Sequence, residues 1–139
     1  KELLKSNVIG RIEAAEALGE IGDSRAIWSL SVAFKDRDIG VRIAVVEALG
    51  KIGEPALDRL TIIFQSSHGR VLEVVIEVLG KIGEPAIKPL LLLLNNDARS
   101  RPITSVKAFV KIGQPAVIPL INNLKHRIPK GRWGSAKSL

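Results

Sequence analysis

The chain of 139 residues has no cysteine, no methionine and no tyrosine, and it carries only three phenylalanines and two tryptophans. Without cysteine, a disulfide framework and thiolate chemistry are both excluded. Few aromatics among many Leu, Ile, Val and Ala favour close-packed helices over a sheet sandwich. Long apolar runs are missing as well. The longest, Leu90–Leu94, falls far short of the roughly 20 residues that span a bilayer. No signal-like stretch opens the sequence, so a soluble cytoplasmic protein is the expectation.

Acid is missing from one region only. Residues 1–97 hold 12 Lys and Arg against all 14 Asp and Glu, a net −2, whereas residues 98–139 hold nine basic residues and no acid, a net +9. The overall +7 is therefore a property of the last third. Such asymmetry points to an anionic partner as one reading of that region.

What is present is repetition. LGKIGEPA occupies residues 49–56 and returns unchanged at 79–86. Set against itself at 30 residues, the chain aligns Leu30, Leu60, Leu90 and Leu120, and likewise Ala26, Ala56, Ala86 and Ala116. Ile52, Ile82 and Ile112 match, preceded by Ile21; Gly53, Gly83 and Gly113 match, preceded by Gly22. Leu18, Leu49, Leu79 and Phe109 form a further column. The first interval is 31, because IGDSRA replaces the shorter IGEPA. Several columns agreeing on one period mark a repeat architecture.

Each unit reads as two helices. Val41, Ala44, Val45, Ala48 and Leu49 recur at helical spacing and predict a helix from about 41 to 50. Gly50 and Gly53 offer the φ > 0 freedom that ends a helix. Glu54 suits the next N-terminus, and Pro55 the first helical position, where its missing N–H costs nothing. A second helix follows over about 55–65, with Leu57, Leu60, Ile63 and Phe64 inward. In the first copy Asp23 or Ser24 takes over capping. Pro89 and Pro119 remove bonds only in a first turn, so each is expected to bend its helix without breaking it. LGKIGEPA is thus read as a helix–turn–helix joint rather than a site used twice. The units join at about 19–24, 50–55, 80–85 and 111–115 within one domain spanning 1–139.

The pattern resembles the short HEAT-like repeats named after phycobilisome lyases, which read A-x-x-x-L…D-x-x-V-R-x-x-A-x-x-A-L-G-x-I-G. The likeness is carried by VRIAVVEALGKIG at 41–53, preceded by Asp36 and Asp38, and it extends over essentially the whole chain. It implies an all-α, right-handed solenoid of about four and a half helix pairs of 30–31 residues, with one helix of each pair lining a concave surface. Leu72 and Pro102 depart from the pattern, standing where Arg11, Arg42 and Arg132 stand in other copies. Arg70, Arg99 and Arg101 are the neighbouring candidates to replace the missing guanidinium.

Carried outward, the register predicts half-repeats at both ends. KELLKS falls where an outer helix should finish, and GRWGSAKSL reads as a fifth inner helix, with Arg132, Ala136 and Leu139 aligned with Arg42, Val46 and Leu49. The chain opens on Lys1 rather than methionine, and neither end has a polar cap. The expectation is a segment of a longer solenoid that self-associates through its open ends when isolated.

Catalytic constellations are thin. His68 and His126 lie 58 residues apart without the neighbours a metal site needs. A HEAT-like family that hydroxylates a modified lysine binds iron through His-Glu dipeptides; here Gly69 and Arg127 follow the two histidines. No phosphate-binding glycine motif occurs, and no serine has a recognisable His–acid partner. No metal, cofactor or catalytic residue is expected. Bilin-lyase-like activity remains a minor alternative suggested by the family's name.

A binding surface is easier to read. Residues four apart share a helical face, which gives the pairs Ile12/Glu16, Ile43/Glu47, Glu73/Glu77, Ile103/Lys107 and Trp133/Lys137. Their second members run Glu, Glu, Glu, Lys, Lys. If that row faces the groove, Ile43, Glu47, Glu77, Ile103, Lys107, Trp133 and Lys137 form the candidate partner-binding set, with Arg99 and Arg101 entering from the preceding turn. An aromatic beside cations suits an acidic peptide or a nucleic-acid backbone. A second basic row, Lys51, Lys81 and Lys111 with Glu20 in the first copy, is assigned to helix-dipole compensation in the turns. A protein-interaction scaffold is the leading reading, and nucleic-acid binding through the basic third is the alternative.

Overall fold

A computed structural model describes residues 2–96 and 101–128, with side chains from Asn7 onward. Among the described residues every regular element is helical. Four long or inner helices alternate with four outer ones. The inner helices are α1 (Glu2–Ile21), α3 (Ile39–Ile52), α5 (Gly69–Ile82) and α7 (Pro102–Ile112). The outer helices are α2 (Ile27–Ala33), α4 (Leu57–Ser66), α6 (Ile87–Leu94) and α8 (Val117–Arg127). α1 packs on α3, α3 on α5 and α5 on α7, so the pairs stack by translation instead of gathering about one axis. The fold is an all-α solenoid. No helix of the described residues is long and apolar enough to cross a membrane.

The repeated columns are the core. Leu30, Leu60 and Leu90 are 2, 0 and 1% exposed, and the four alanines Ala26, Ala56, Ala86 and Ala116 are all buried. Leu49, Leu79 and Phe109 join them from the inner helices. Burying a leucine side chain fully is worth about 1.5–3 kcal/mol, and each repeat needs its neighbour for that burial.

The joint of each repeat follows one recipe. The second glycine of G-x-I-G takes positive φ: +74° at Gly22, +84° at Gly53, +78° at Gly83 and +80° at Gly113. Its amide donates to the carbonyl four residues back, as from Gly53 to Leu49 at 3.0 Å. A single 3₁₀ turn follows, Glu54–Ala56 in the second copy, and the outer α-helix begins only after it. Pro55 therefore sits within that 3₁₀ turn, one step earlier than the α-helix it was expected to open. In the first copy Asp23 caps the turn by accepting from the Arg25 amide at 2.8 Å. α6 and α8 continue unbroken past Pro89 and Pro119.

The first glycine does something else. Gly50 and Gly80 lie inside α3 and α5 and have no positive φ, so neither ends its helix as the sequence suggested. Their role is close approach. A Cβ on Gly19 would stand 2.7 Å from the Ala48 Cα, one on Gly50 2.6 Å from a Val78 methyl, and one on Gly80 2.6 Å from the Lys111 Cβ. The missing side chain is what lets successive inner helices touch. A second correction concerns the N-terminal end. Residues 2–6 continue α1 and do not finish an outer helix. Asn7 stands in the column of Asp38, but the helix runs through it.

Candidate functional site

Part of the charge on the inner helices runs along the stack beside the joints between them. α1 contributes Glu16 and Glu20, α3 Glu47 and Lys51, α5 Glu73, Glu77 and Lys81, and α7 Lys107 and Lys111, all exposed. Two clefts open between successive helices. The first, about 300 Å³, lies between α3 and α5 and is lined by Glu47, Lys51, Val74, Glu77 and Lys81 with Gly50 and Val78. The second, about 340 Å³, lies between α5 and α7. Ile76, Val106 and Val110 supply its apolar lining, flanked by Glu73, Glu77, Lys107 and Lys111.

Ion pairs cross the joints. Lys51 bonds Glu20 of the preceding inner helix, and Lys111 bonds Glu77 at 2.6 Å. The Lys111 ammonium holds the Glu77 carboxyl below its ordinary value, while the hydrogen bond to Glu20 raises Lys51, with Glu16 and Glu47 adding to the field. Two of the three lysines assigned to dipole compensation, Lys51 and Lys111, thus also tie one repeat to the next. Each of these pairs is exposed, so its contribution to stability is small. Lys107 makes no ion pair among the described residues.

The residues singled out from sequence divide clearly. Glu47, Glu77 and Lys107 line the two adjoining clefts. Ile43 is half-buried against the core, and Ile103, 77% exposed, lines neither cleft. Arg101 is committed elsewhere. Its guanidinium donates to the carbonyls of Phe64 at 2.6 Å and Ser67 at 2.9 Å, where α4 ends. It thereby satisfies orphan carbonyls of a helix C-terminus. Arg127 does the same for the Leu94 carbonyl at the end of α6. Arg99, Trp133 and Lys137 lie outside the described residues.

Several lining residues were not singled out as site residues: Glu73, Ile76, Val106, Val110 and Lys111. One signal was available. Val110 stands in the column of Gly19, Gly50 and Gly80, and a valine where three glycines allow contact marks a changed surface. His68 and His126 are exposed and far apart in sequence. Among the described residues no group of His, Asp and Glu could hold a metal ion.

Stacked helix pairs with grooves between their inner members define an α-solenoid repeat protein, a class that works through extended surfaces. The family described as HEAT repeats matches residues 1–73, more than half of the sequence, and the chain belongs to it. HEAT repeats generally serve as protein-interaction scaffolds, and the family is typically non-catalytic. A search of curated proteins finds no match to this chain.

Proposed function

We propose that this protein is a non-catalytic scaffold that grips a partner protein along its inner-helix face. The anchoring position is the cleft between α5 and α7. The observation that carries this reading is the composition of that cleft: an apolar lining of Ile76, Val106 and Val110 beside Lys107, whose ammonium makes no ion pair among the described residues. An apolar side chain entering such a cleft loses water, while the cation beside it orients an acidic neighbour. The row from Glu16 and Glu47 to Lys107 favours a segment that is basic toward α1 and acidic toward α7. The inner helices pack on one another more extensively than the outer ones, which supports their lying on the concave side. The repeat pattern resembles the phycobilisome-lyase type, and bilin-lyase-like activity is the minor alternative to the scaffold reading. A soluble, cytoplasmic setting fits this role.

Capture from native lysate on immobilised protein tests the proposal. A partner is expected to be retained by the unchanged chain and by Lys51→Glu, and lost on Lys107→Glu. Equal loss on both variants would refute the choice of cleft. Nucleic-acid binding through the basic third is the second reading. Arg101 and Arg127 already spend their guanidinium groups on carbonyls, which leaves fewer cations for phosphate. Binding of duplex or single-stranded nucleic acid at ~50 mM salt, falling steeply as salt rises, would favour it.

A further inference from the structure

The outer helices carry an apolar row that the core does not absorb. Val32, Ile62 and Leu92 share one column in three successive repeats and are 48, 53 and 65% exposed. One turn before Val32, Trp28 is 69% exposed. Scattered exposed aliphatics are ordinary on a protein surface, but these form a row. The fold does not demand it, since the fourth copy has an exposed Asn122 at the same position. α4 lies between α2 and α6 in the order of repeats, so the middle of the row owes nothing to either end of the stack. A cleft of about 470 Å³ lies between α4 and α6, with Ile62 on one wall and Leu92 on the other.

Charge runs beside the row. One turn before Ile62 and Leu92 stand Asp58 and Lys88, both exposed and both lining that cleft. Neither forms an ion pair among the described residues. Asp58 suits the first turn of α4, where the helix dipole favours a carboxylate, but Lys88 in the first turn of α6 is opposed by the same dipole. The helix that carries Lys88 therefore does not explain it.

We propose that this outer face docks an amphipathic helix of a partner protein, laid across α2, α4 and α6. Its apolar residues recur at seven-residue spacing, with a basic residue at the α4 contact and an acidic one at the α6 contact. The repeat itself is the ruler. Packed helices lie about 8–10 Å apart, and seven residues of α-helix rise about 10.5 Å while returning to nearly the same face. An extended strand takes about three residues for that step, and its period of two turns the third side chain away. A polyproline segment also matches the step, but such segments are held in aromatic-lined grooves, and in this row only Trp28 is aromatic. Charge sets the register, the basic residue meeting Asp58 and the acidic one Lys88.

A synthetic alanine- and glutamine-based helix of about 17 residues spans three such contacts and serves as the probe. It carries leucine at three positions seven apart, arginine beside the central leucine and glutamate beside a terminal one. Two versions, with glutamate at either end, cover both polarities of the docked helix. In fluorescence anisotropy with the full chain, one version should bind about tenfold more tightly than a control of the same residues with leucines five apart. Ile62→Glu should weaken binding by about tenfold. Asp58→Lys combined with Lys88→Glu keeps the net charge, and should shift the preference to a peptide with arginine and glutamate exchanged. Both variants alter exposed positions and should keep wild-type helical circular dichroism. Lys107→Glu should leave binding unchanged, which separates this face from the inner-helix cleft proposed above.

No binding of either version at millimolar concentration, or equal binding of the control, would overturn the proposal. So would tighter binding of a proline-rich peptide with leucine at every third residue, or a charge exchange that leaves the preference as it was. Self-association of the chain that Ile62→Glu abolishes would assign the face to a second copy, and the proposal fails. Because the chain has no cysteine, Ile62→Cys carries a lone thiol that the bound peptide should shield from alkylation. Full reactivity with peptide bound would place the peptide elsewhere and sink the assignment.

Discussion

The loop entering α3 and the loop entering α7 occupy the same place in the repeat and are held by different residues. Before α3, Asp36 is a hub. Its carboxylate accepts from Arg11 at 2.6 and 3.2 Å and from the Asp38 amide at 2.9 Å, and its carbonyl accepts from Arg42 at 3.0 Å. Asp38 then caps α3 through the Val41 amide at 3.1 Å. Before α7 there is no such acid among the described residues. Arg101 instead reaches back to the carbonyls ending α4, and Pro102 opens the helix with no side-chain cap, removing one of the orphan N–H groups itself. The first solution pairs charges; the second spends a charge directly on backbone. Each places a guanidinium on backbone carbonyls between helices, Arg42 on Asp36 in the loop after α2 and Arg101 on Phe64 and Ser67 at the end of α4. The requirement is conserved by the geometry, and the residue that meets it is free to move.

The sharpest way to break this comparison is to attack the interior of a repeat and then its counterpart at the end. Leu90 is 1% exposed between repeats, whereas Leu120 is only half-buried. Leu90→Ala is expected to cost ~2–5 kcal/mol in chemical denaturation. Leu120→Ala should cost clearly less, because its site is already open on one side. Equal losses would mean that the fourth repeat is covered as fully as the third. A loss below ~0.5 kcal/mol at Leu90 would remove the column from the core.

A smaller effect separates the two kinds of helical glycine. Gly19 faces the Ala48 backbone, so Gly19→Ala forces α1 and α3 apart and should cost ~1–3 kcal/mol. Gly10 has nothing within 4 Å of a Cβ built on it. Gly10→Ala is therefore expected to stabilise by ~0.5–1 kcal/mol through helix propensity alone. Thermal melts of the two variants should shift in opposite directions; a shift of the same sign would show that close approach is not what Gly19 provides.

These particulars show why the fold was readable and the site only partly so. Column periodicity depends on local spacing and burial, and the leucine and alanine columns report both at once. The double glycine was harder, because small size and positive φ use the same residue; Gly53 uses its conformation and Gly50 its lack of a side chain. Arg101 was read both as a groove residue and as a stand-in for the missing repeat guanidinium, and its bonds to backbone carbonyls fit the second. Its acceptors lie 34 and 37 residues earlier in the chain, and no spacing rule links a guanidinium to the carbonyls it will find. The acid-to-base row was legible from four-residue spacing, but the apolar lining of the α5–α7 cleft required the helices to be set beside one another.

The last contrast concerns a single atom. Val45 and Val75 are fully buried, and Ser105 fills the same column in α7, also 0% exposed. Its hydroxyl has no hydrogen-bond partner among the described residues. Other helix hydroxyls here return to the carbonyl four residues back, Ser31 to Ile27 at 2.7 Å and Thr61 to Leu57 at 2.8 Å. For Ser105 that acceptor is the Arg101 carbonyl, which the serine's amide bonds at 2.8 Å but its hydroxyl does not. A buried, unpaired hydroxyl costs about 1–3 kcal/mol, and alanine is the better helix former. Replacing Ser105 by alanine should therefore stabilise the chain by about 1 kcal/mol in denaturant unfolding, the reverse of what truncating Val75 would do. If Ser105→Ala is destabilising, the hydroxyl has found a partner in solution, and the joint before α7 is held by one more bond than its geometry indicates.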